Sequence, residues 1–398
     1  MSERLGMRNK RNAMIAAVVA AIIMVVSGWL LLRNIGDPAL PLNTLAPAGR
    51  QGWEIFGLVK WVFGVAGLVF VLVEAGLIWM AIRFKRNKSD VDGVGEPTQT
   101  HGNTPLEIGW TVLPALVLAT LAVFNVQTLL RVEESNNPIE VRVVGQQWWW
   151  EYRYDIDRDG TVDIITATQM VVPVGRDVEV KIQSNDVIHS FWIPAINGKK
   201  DAVPGRTHTL IMTADKPGIY QGQCTEYCGL SHGVMRMELK ALPKAEYAKW
   251  VKAMTTPPEQ PTDAKAIAGQ ELFVGQCARC HQVNGLRPDS KAPFAYDAVP
   301  NPDYGKSVNT TLSAGNAPNL THLMMRQTFA GSLLPLYLDK GADEVSAVPS
   351  GVADTSNLKD WLRDPESIKP MDPENNQGMP NLQLTEAQID QLVAYLVT

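Results

Sequence analysis

The sequence predicts a multidomain membrane protein in which N-terminal transmembrane helices lead into a β-sandwich or barrel and then into an all-α third domain. Three patterns carry that prediction. Apolar residues are bunched in the first third of the chain although the mean hydropathy is close to zero, at −0.06. The hydrophobic period becomes two after Pro138, and it turns helical again beyond a proline-rich stretch at 255–262. A length of 398 residues leaves room for two or three modest domains, each with its own core.

Residues 14–32 form a nearly unbroken apolar run behind Arg4, Arg8, Lys10 and Arg11, long enough to cross about 30 Å of hydrocarbon as a helix. Segment 1–36 is accordingly a signal peptide or a first membrane anchor. Its length exceeds a typical secretory core, while the basic start and the Pro/Ala-rich stretch at 37–48 also suit cleavage. Two further runs, 56–82 and 109–130, predict a transmembrane helical hairpin within 51–132. The loop between them opens with Arg83, Lys85, Arg86 and Lys88, a basic cluster that belongs on the cytoplasmic side. Everything after residue 130 then lies outside, in a periplasmic or extracellular space.

From 137 to 250 the pattern is that of strands. Val178, Val180 and Ile182 alternate with Glu179, Lys181 and Gln183, and Asp159-Gly160 and Pro204-Gly205 supply turns. A short helical stretch follows, then a linker at 251–263 whose Pro and polar residues predict a mobile tether. The third domain, 264–398, opens on a helical pattern at 264–274 and closes on another at 385–396. There Thr385 and Gln388 suit a capping box, and Ile389, Leu392, Val393 and Leu396 form one face. The segment 291–316 is long and polar, and the sequence assigns it no role.

A formal net charge of −5, with no basic patch, lacks the electrostatic footprint of a nucleic-acid binder. The four cysteines fall in two local pairs, Cys224 with Cys228 and Cys277 with Cys280. None is left for a long-range disulfide framework, and in an exported protein each pair needs a cofactor to occupy it. Cys224, Cys228, His232 and Met235 share one Gly-containing loop, and His189 brings a second imidazole from an earlier strand end. Two thiolates, two imidazoles and a thioether exceed the one Cys, two His and weak axial Met of a blue-copper site. Two thiolates can instead bridge two copper ions, which then share one electron with little change of geometry. A Cys₂His₂ zinc site or a Cys224–Cys228 disulfide also fits the residue types, but neither uses Met235. The second pair has the C-x-x-C-H form in Cys277-Ala278-Arg279-Cys280-His281, which bonds heme covalently through both sulfurs and lets the adjacent imidazole reach the iron.

Asp186-Val187-Ile188-His189-Ser190-Phe191, Asp201-Ala202-Val203-Pro204-Gly205-Arg206 and Gln223-Cys224-Thr225-Glu226-Tyr227-Cys228-Gly229 resemble cytochrome c oxidase subunit II, over roughly residues 51–250. The resemblance implies a cupredoxin-like β-sandwich or barrel with a binuclear copper centre, CuA. In it Cys224 and Cys228 bridge the metals, His189 and His232 each bind one, Met235 binds one, and the Glu226 carbonyl binds the other. The Glu226 side chain would sit near a magnesium ion shared with oxidase subunit I. The run Gly145-Gln146-Gln147-Trp148-Trp149-Trp150 resembles the family's aromatic stretch, which implies that Trp148 is an exposed point of electron entry from cytochrome c. Gln146 stands where some members carry histidine. A run of three tryptophans also serves as core and interface anchors. Glu107, in Glu107-Ile108-Gly109-Trp110-Thr111-Val112-Leu113-Pro114, falls where the family has a carboxylate at the cytoplasmic mouth of a proton channel in subunit I; an ordinary interfacial carboxylate accounts for it equally.

The C-terminal part resembles a class I cytochrome c. That implies an all-α cytochrome c domain with heme c on Cys277 and Cys280, and with His281 and Met379 as axial ligands; Met371 is the nearest rival to Met379. Together the resemblances imply an electron-transfer subunit of a terminal, proton-translocating oxidase of the bacterial plasma membrane. Its partners would be subunit I, other oxidase subunits and cytochrome c. A copper-containing nitric oxide reductase subunit and a free-standing membrane-tethered electron carrier are the alternatives, and Glu107 with its helix favours the oxidase.

Overall fold

A computed structural model of the chain describes residues 37, 40–85, 102–256, 258–283, 317–339, 345–374 and 377–398. The expected signal peptide or anchor at 1–36 and the 291–316 segment lie outside the described residues.

Both apolar runs fall inside long helices, α1 (Arg50–Arg83) and α2 (Thr104–Glu133), whose most apolar windows have mean hydropathies of 2.3 and 1.9 and are not buried by the rest of the chain. A helix that is apolar all round needs hydrocarbon about it. Pro114 lies within α2, which a membrane helix tolerates better than a soluble one. At the outer end the hairpin is tied to the β-domain. Arg50 donates to the carbonyls of Arg131 at 3.2 Å and Glu134 at 2.6 Å and reaches Asp177 at 3.4 Å. Gln51 donates to the Thr213 hydroxyl at 3.2 Å.

The β-domain contains β1 (Ile139–Gln146), β2 (Trp149–Tyr154), β3 (Ile164–Ala167), β4 (Gln169–Pro173), β5 (Val178–Ser184), β6 (His189–Phe191), β7 (Lys200–Ala202), β8 (His208–Met212), β9 (Gly218–Gln223) and β10 (Arg236–Leu242). One sheet runs β3-β2-β1-β5-β8 and a second β4-β10-β9, with β1 parallel to β5 and β4 parallel to β10, while β6 and β7 pair with each other as an antiparallel ribbon. The expected alternation on β5 is realised: Val178, Val180, Ile182 and Ser184 are buried and the residues between them half-exposed. Trp150, Tyr152 and Tyr154 from β2 meet Met237, Leu239 and Ala241 from β10 in the core between the sheets. Helix α3 (Lys244–Thr255) closes the domain by adding Trp250 and Met254 to that core, so the first residues of the expected 251–263 linker belong to this helix.

In the third domain, α4 (Ala264–Gln276) is capped by Asp263, α5 (Thr355–Arg363) by Asp354, and α7 (Glu386–Leu396) by the expected Thr385–Gln388 capping box; the short α6 (Pro365–Ile368) follows α5. Phe273 from α4, Leu358 and Leu362 from α5, and Ile389, Leu392 and Val393 from α7 form its core.

The two soluble units are docked. Gln169 and Glu238 occupy strand positions that alternate with the core residues Met170, Met237 and Leu239, yet both are buried. Alternate positions on a strand point to opposite faces, so a second layer must cover this one. The cytochrome-like unit supplies it: Thr328 donates to Glu238 at 3.0 Å, and Gln169 donates to Gln327 at 3.4 Å. Arg326 donates to Thr166 at 3.1 Å, the Ala347 N–H donates to Glu246 at 3.0 Å, and His322 lies 2.9 Å from the Thr256 carbonyl. Ala347 itself packs into the core of the β-domain. The mobile tether expected from linker composition is therefore corrected to a fixed, polar interface.

Candidate functional site

The loop after β9 carries Cys224, Glu226, Cys228, His232 and Met235, and β6 begins on His189. A 3₁₀ turn at His232–Val234 reverses the chain so that Met235 comes back against the cysteines. The sulfurs of Cys224 and Cys228 lie 3.9 Å apart and are not disulfide-bonded. Cys224 Sγ is 4.0 Å from His189 Nδ1 and 3.3 Å from the Glu226 carbonyl oxygen. Cys228 Sγ is 3.6 Å from His232 Nδ1 and 3.7 Å from Met235 Sδ. All six residues named from the sequence thus present a donor atom to one small volume, and His189, Cys224 and Cys228 form a metal-sized group by themselves.

Neighbours fix these donors. The Asp186 carboxylate sits 2.7 Å from His189 Nε2, which leaves Nδ1 turned to the sulfurs, the orientation a carboxylate–histidine pair imposes on a metal ligand. Gly145 makes room for that ring, since a Cβ there would lie 2.8 Å from His189 Cδ2. Burial opposes charge on His189, but the bonds to Asp186 and Cys224 outweigh it and raise the pKa. Cys224 is held well below an ordinary thiol, chiefly by the hydrogen bond from Cys228, while Cys228 is pushed up. Soft sulfur and imidazole donors in this number fit copper and leave Met235 employed.

Of the residues expected to hold a heme, Cys277 and Met379 pack on one core. Cys277 caps α4 and packs in the core of its unit beside Phe273 and Leu323. Both of its motif cysteines are free thiols, and burial raises the pKa of each. The Pro318 carbonyl lies 2.8 Å from His281 Nδ1, leaving Nε2 for an iron. Burial lowers the His281 pKa, favouring the neutral imidazole that a metal needs. Met379 packs on the same core, and its Sδ accepts a hydrogen bond from Trp361 Nε1 at 3.0 Å. These donors fit a covalently held heme.

One expected site reads differently. Trp148, expected exposed, is only 2% exposed; its indole donates to the Cys228 carbonyl at 2.9 Å, and its own carbonyl accepts from Lys369 of the cytochrome-like unit. Sequence patterning missed Lys369, because one lysine after a short helix carries no signal of its own. Glu107 is exposed in the first turn of α2, where it accepts from the Asn103 N–H at 3.1 Å while Asn103 caps Leu106. The Glu226 side chain is exposed at the rim of the loop.

Comparison with known proteins agrees with this arrangement. The family of the cytochrome c oxidase subunit II transmembrane domain matches residues 48–128, its periplasmic domain matches 155–242, and cytochrome c matches 266–398. Cytochrome c oxidase subunit 2 of Alkalihalophilus pseudofirmus is 33% identical over 364 residues, 89% of this chain and 90% of that protein. The protein of the same name from Bacillus sp. strain PS3 is 31% identical over 387 residues, covering 93% and 94%. The periplasmic domain of subunit II of cytochrome oxidase from Bradyrhizobium japonicum, a solved structure, is 30% identical with a TM-score of 0.28 and covers 31% of this chain and 96% of that one. With its membrane hairpin, its cupredoxin-like domain and a cytochrome c domain behind them, the chain belongs to the cytochrome c oxidase subunit II family and is an electron-transfer component of a heme-copper oxidase.

Proposed function

We propose that this subunit takes electrons from cytochrome c onto a covalent heme c and passes them through a binuclear CuA centre to heme a of subunit I, where O₂ is reduced to water with proton translocation. The observation that carries the reading is the convergence of two thiols, two imidazole Nδ1 atoms, a thioether and a backbone carbonyl on one volume. Cys224 and Cys228, with His189, His232, Met235 and the Glu226 carbonyl, would hold the copper pair. Cys277 and Cys280 would carry the heme, with His281 and Met379 as the candidate ligands of its iron. The copper pair supplies a delocalised one-electron store, and a His/Met-ligated heme supplies a couple of raised potential.

Docking on subunit I is supported by the apolar rim beside the copper ligands: Val187, Ile188, Tyr227 and Leu230 are exposed, Tyr227 at 77%. Side chains of this kind around a polar site mark a surface made for another protein. The exposed Glu226 carboxylate lies on that rim and would reach a magnesium ion shared with subunit I. The hairpin spans a bacterial plasma membrane, with the copper domain to about residue 255 and the cytochrome domain from about 264 on its outer side. Glu107 then faces the cytoplasm at the mouth of a proton channel.

Metal and heme analysis of the purified chain, with an electron paramagnetic resonance spectrum of its copper, tests this. A mixed-valence signal delocalised over two coppers, together with one covalent heme, is the expected result. Zinc, a localised single-copper signal or unmodified Cys277 and Cys280 would refute it.

A further inference from the structure

Two consecutive residues of the cytochrome unit, Lys369 and Pro370, bond to Trp148 and to Ser231 of the copper loop. Lys369, immediately after α6, sends its ammonium to the Trp148 carbonyl and lies 3.5 Å from the Ala330 carbonyl. Pro370 offers its carbonyl to Ser231 Oγ at 2.6 Å. Ser231 is the neighbour of His232, and Trp148 in turn donates to the carbonyl of Cys228. Each contact is thus one hydrogen bond and a short stretch of chain away from a copper-site residue. Gly331 shows how close the fit is: at φ +76, a Cβ there would lie 2.8 Å from Lys369 Nζ and 3.0 Å from the carbonyl of Val234, inside the copper loop. On the heme side, the same segment continues into Met371 and a bridge in which Asp372 and Gln377 exchange backbone hydrogen bonds at 2.8 and 3.0 Å, just before Met379.

We propose that Lys369 is a positioning residue for electron transfer within the chain: with Pro370 it seats the cytochrome unit on the Trp148 surface, so that this surface is closed to a soluble cytochrome and electrons enter only through the attached heme. The inference rests on the assignment of copper and heme made above. An ammonium is suited to the task because it satisfies backbone carbonyls from two units at once, and a bond to a charged donor is stronger than a neutral one. Lys369 is half-buried, and burial brings its pKa down to about 7.

The test uses the assembled oxidase carrying Lys369→Met, mixed rapidly with reduced soluble cytochrome c while the heme c and copper absorbances are followed separately. Reduction of heme c by the donor is expected to keep its wild-type rate, while the following transfer from heme c to copper slows severalfold. Lys369→Arg, which keeps the donors, should restore most of the transfer. Full-speed transfer in Lys369→Met with unchanged copper and heme spectra would overturn the proposal. If Lys369→Met fails to assemble, Ser231→Ala removes the other contact and is expected to slow the same phase severalfold; wild-type transfer there would overturn it as well. A wild-type enzyme in which copper is reduced before heme c would refute the functional reading itself, a result distinct from a normal order that is insensitive to Lys369.

Discussion

Arg326 donates through Nε to the Thr166 hydroxyl at 3.1 Å across the boundary between the two soluble units, and both side chains are buried. A second bond runs from the guanidinium to the Asn319 carbonyl within its own unit. Burial draws the Arg326 pKa down to about 10, so it stays charged at neutral pH. Replacing it with methionine keeps much of the volume but removes the donors from two buried acceptors. We expect docking to weaken by roughly 2–3 kcal/mol, seen as faster proteolytic cleavage at 256–262 in the purified chain with both cofactor spectra unchanged.

Asp177 predicts an acid-labile attachment of the membrane hairpin. Its carboxylate is held below the usual aspartate range. Burial acts against this, but bonds from Thr213 at 2.5 Å and the Asn136 N–H at 2.8 Å, with Arg50 beside it, prevail. A depressed folded-state pKa means that the unfolded chain binds more protons. The contribution is complete above the ordinary value of about 3.9 and disappears as pH falls through the lower folded value. Thermal denaturation of the detergent-solubilised chain should therefore lose stability on acidification, and Asp177→Asn should flatten that part of the profile while lowering stability at neutral pH.

Met379 and Met371 can be told apart by spectroscopy. Met379→Leu should leave heme covalently attached through Cys277 and Cys280 but abolish methionine–iron absorption and lower the potential, since the thioether raises it. Met371→Leu should change neither. A redox titration with absorbance readout decides, and normal properties in Met379→Leu would remove it as the axial ligand.

Glu107→Gln separates a proton role from a helix cap. Glutamine retains an acceptor oxygen for the Asn103 N–H, so the start of α2 should survive. In the assembled oxidase, turnover should fall severalfold and its pH profile should change. An unaltered profile would leave Glu107 as a capping residue only.

Much of this molecule is legible in its residues because its strongest signals are local. Alternation on β5 survives into the structure since only one of its faces is buried, and Thr385 with Gln388 cap α7 by a reciprocal bond four residues long. The candidate copper donors are legible for the same reason: Cys224, Cys228, His232 and Met235 stand within 224–235, where soft ligands at such density have few other uses. The docking was not. Glu238 and Gln169 alternate with core residues and are buried all the same, because a period of two tells which side chains leave the core and says nothing of what lies on the far side of the sheet. Trp148 was expected at the surface because its aromatic run resembles one that presents a tryptophan there. The residue that covers it, Lys369, is more than two hundred positions away, and the intervening Pro-rich link looked like a tether.

The closed setting of the copper loop also orders the life of the chain. His189, Cys224, Cys228 and Met235 are all buried, and Ser231 is covered by Pro370. If, as proposed, another subunit covers the apolar rim, that approach to the ligands would be shut as well. Metal delivery must then come early, while at least one cover is still off, and a chain that docks its cytochrome unit and joins its partner before receiving copper would be trapped empty. The same contacts that fix a working geometry thus act as a deadline for maturation.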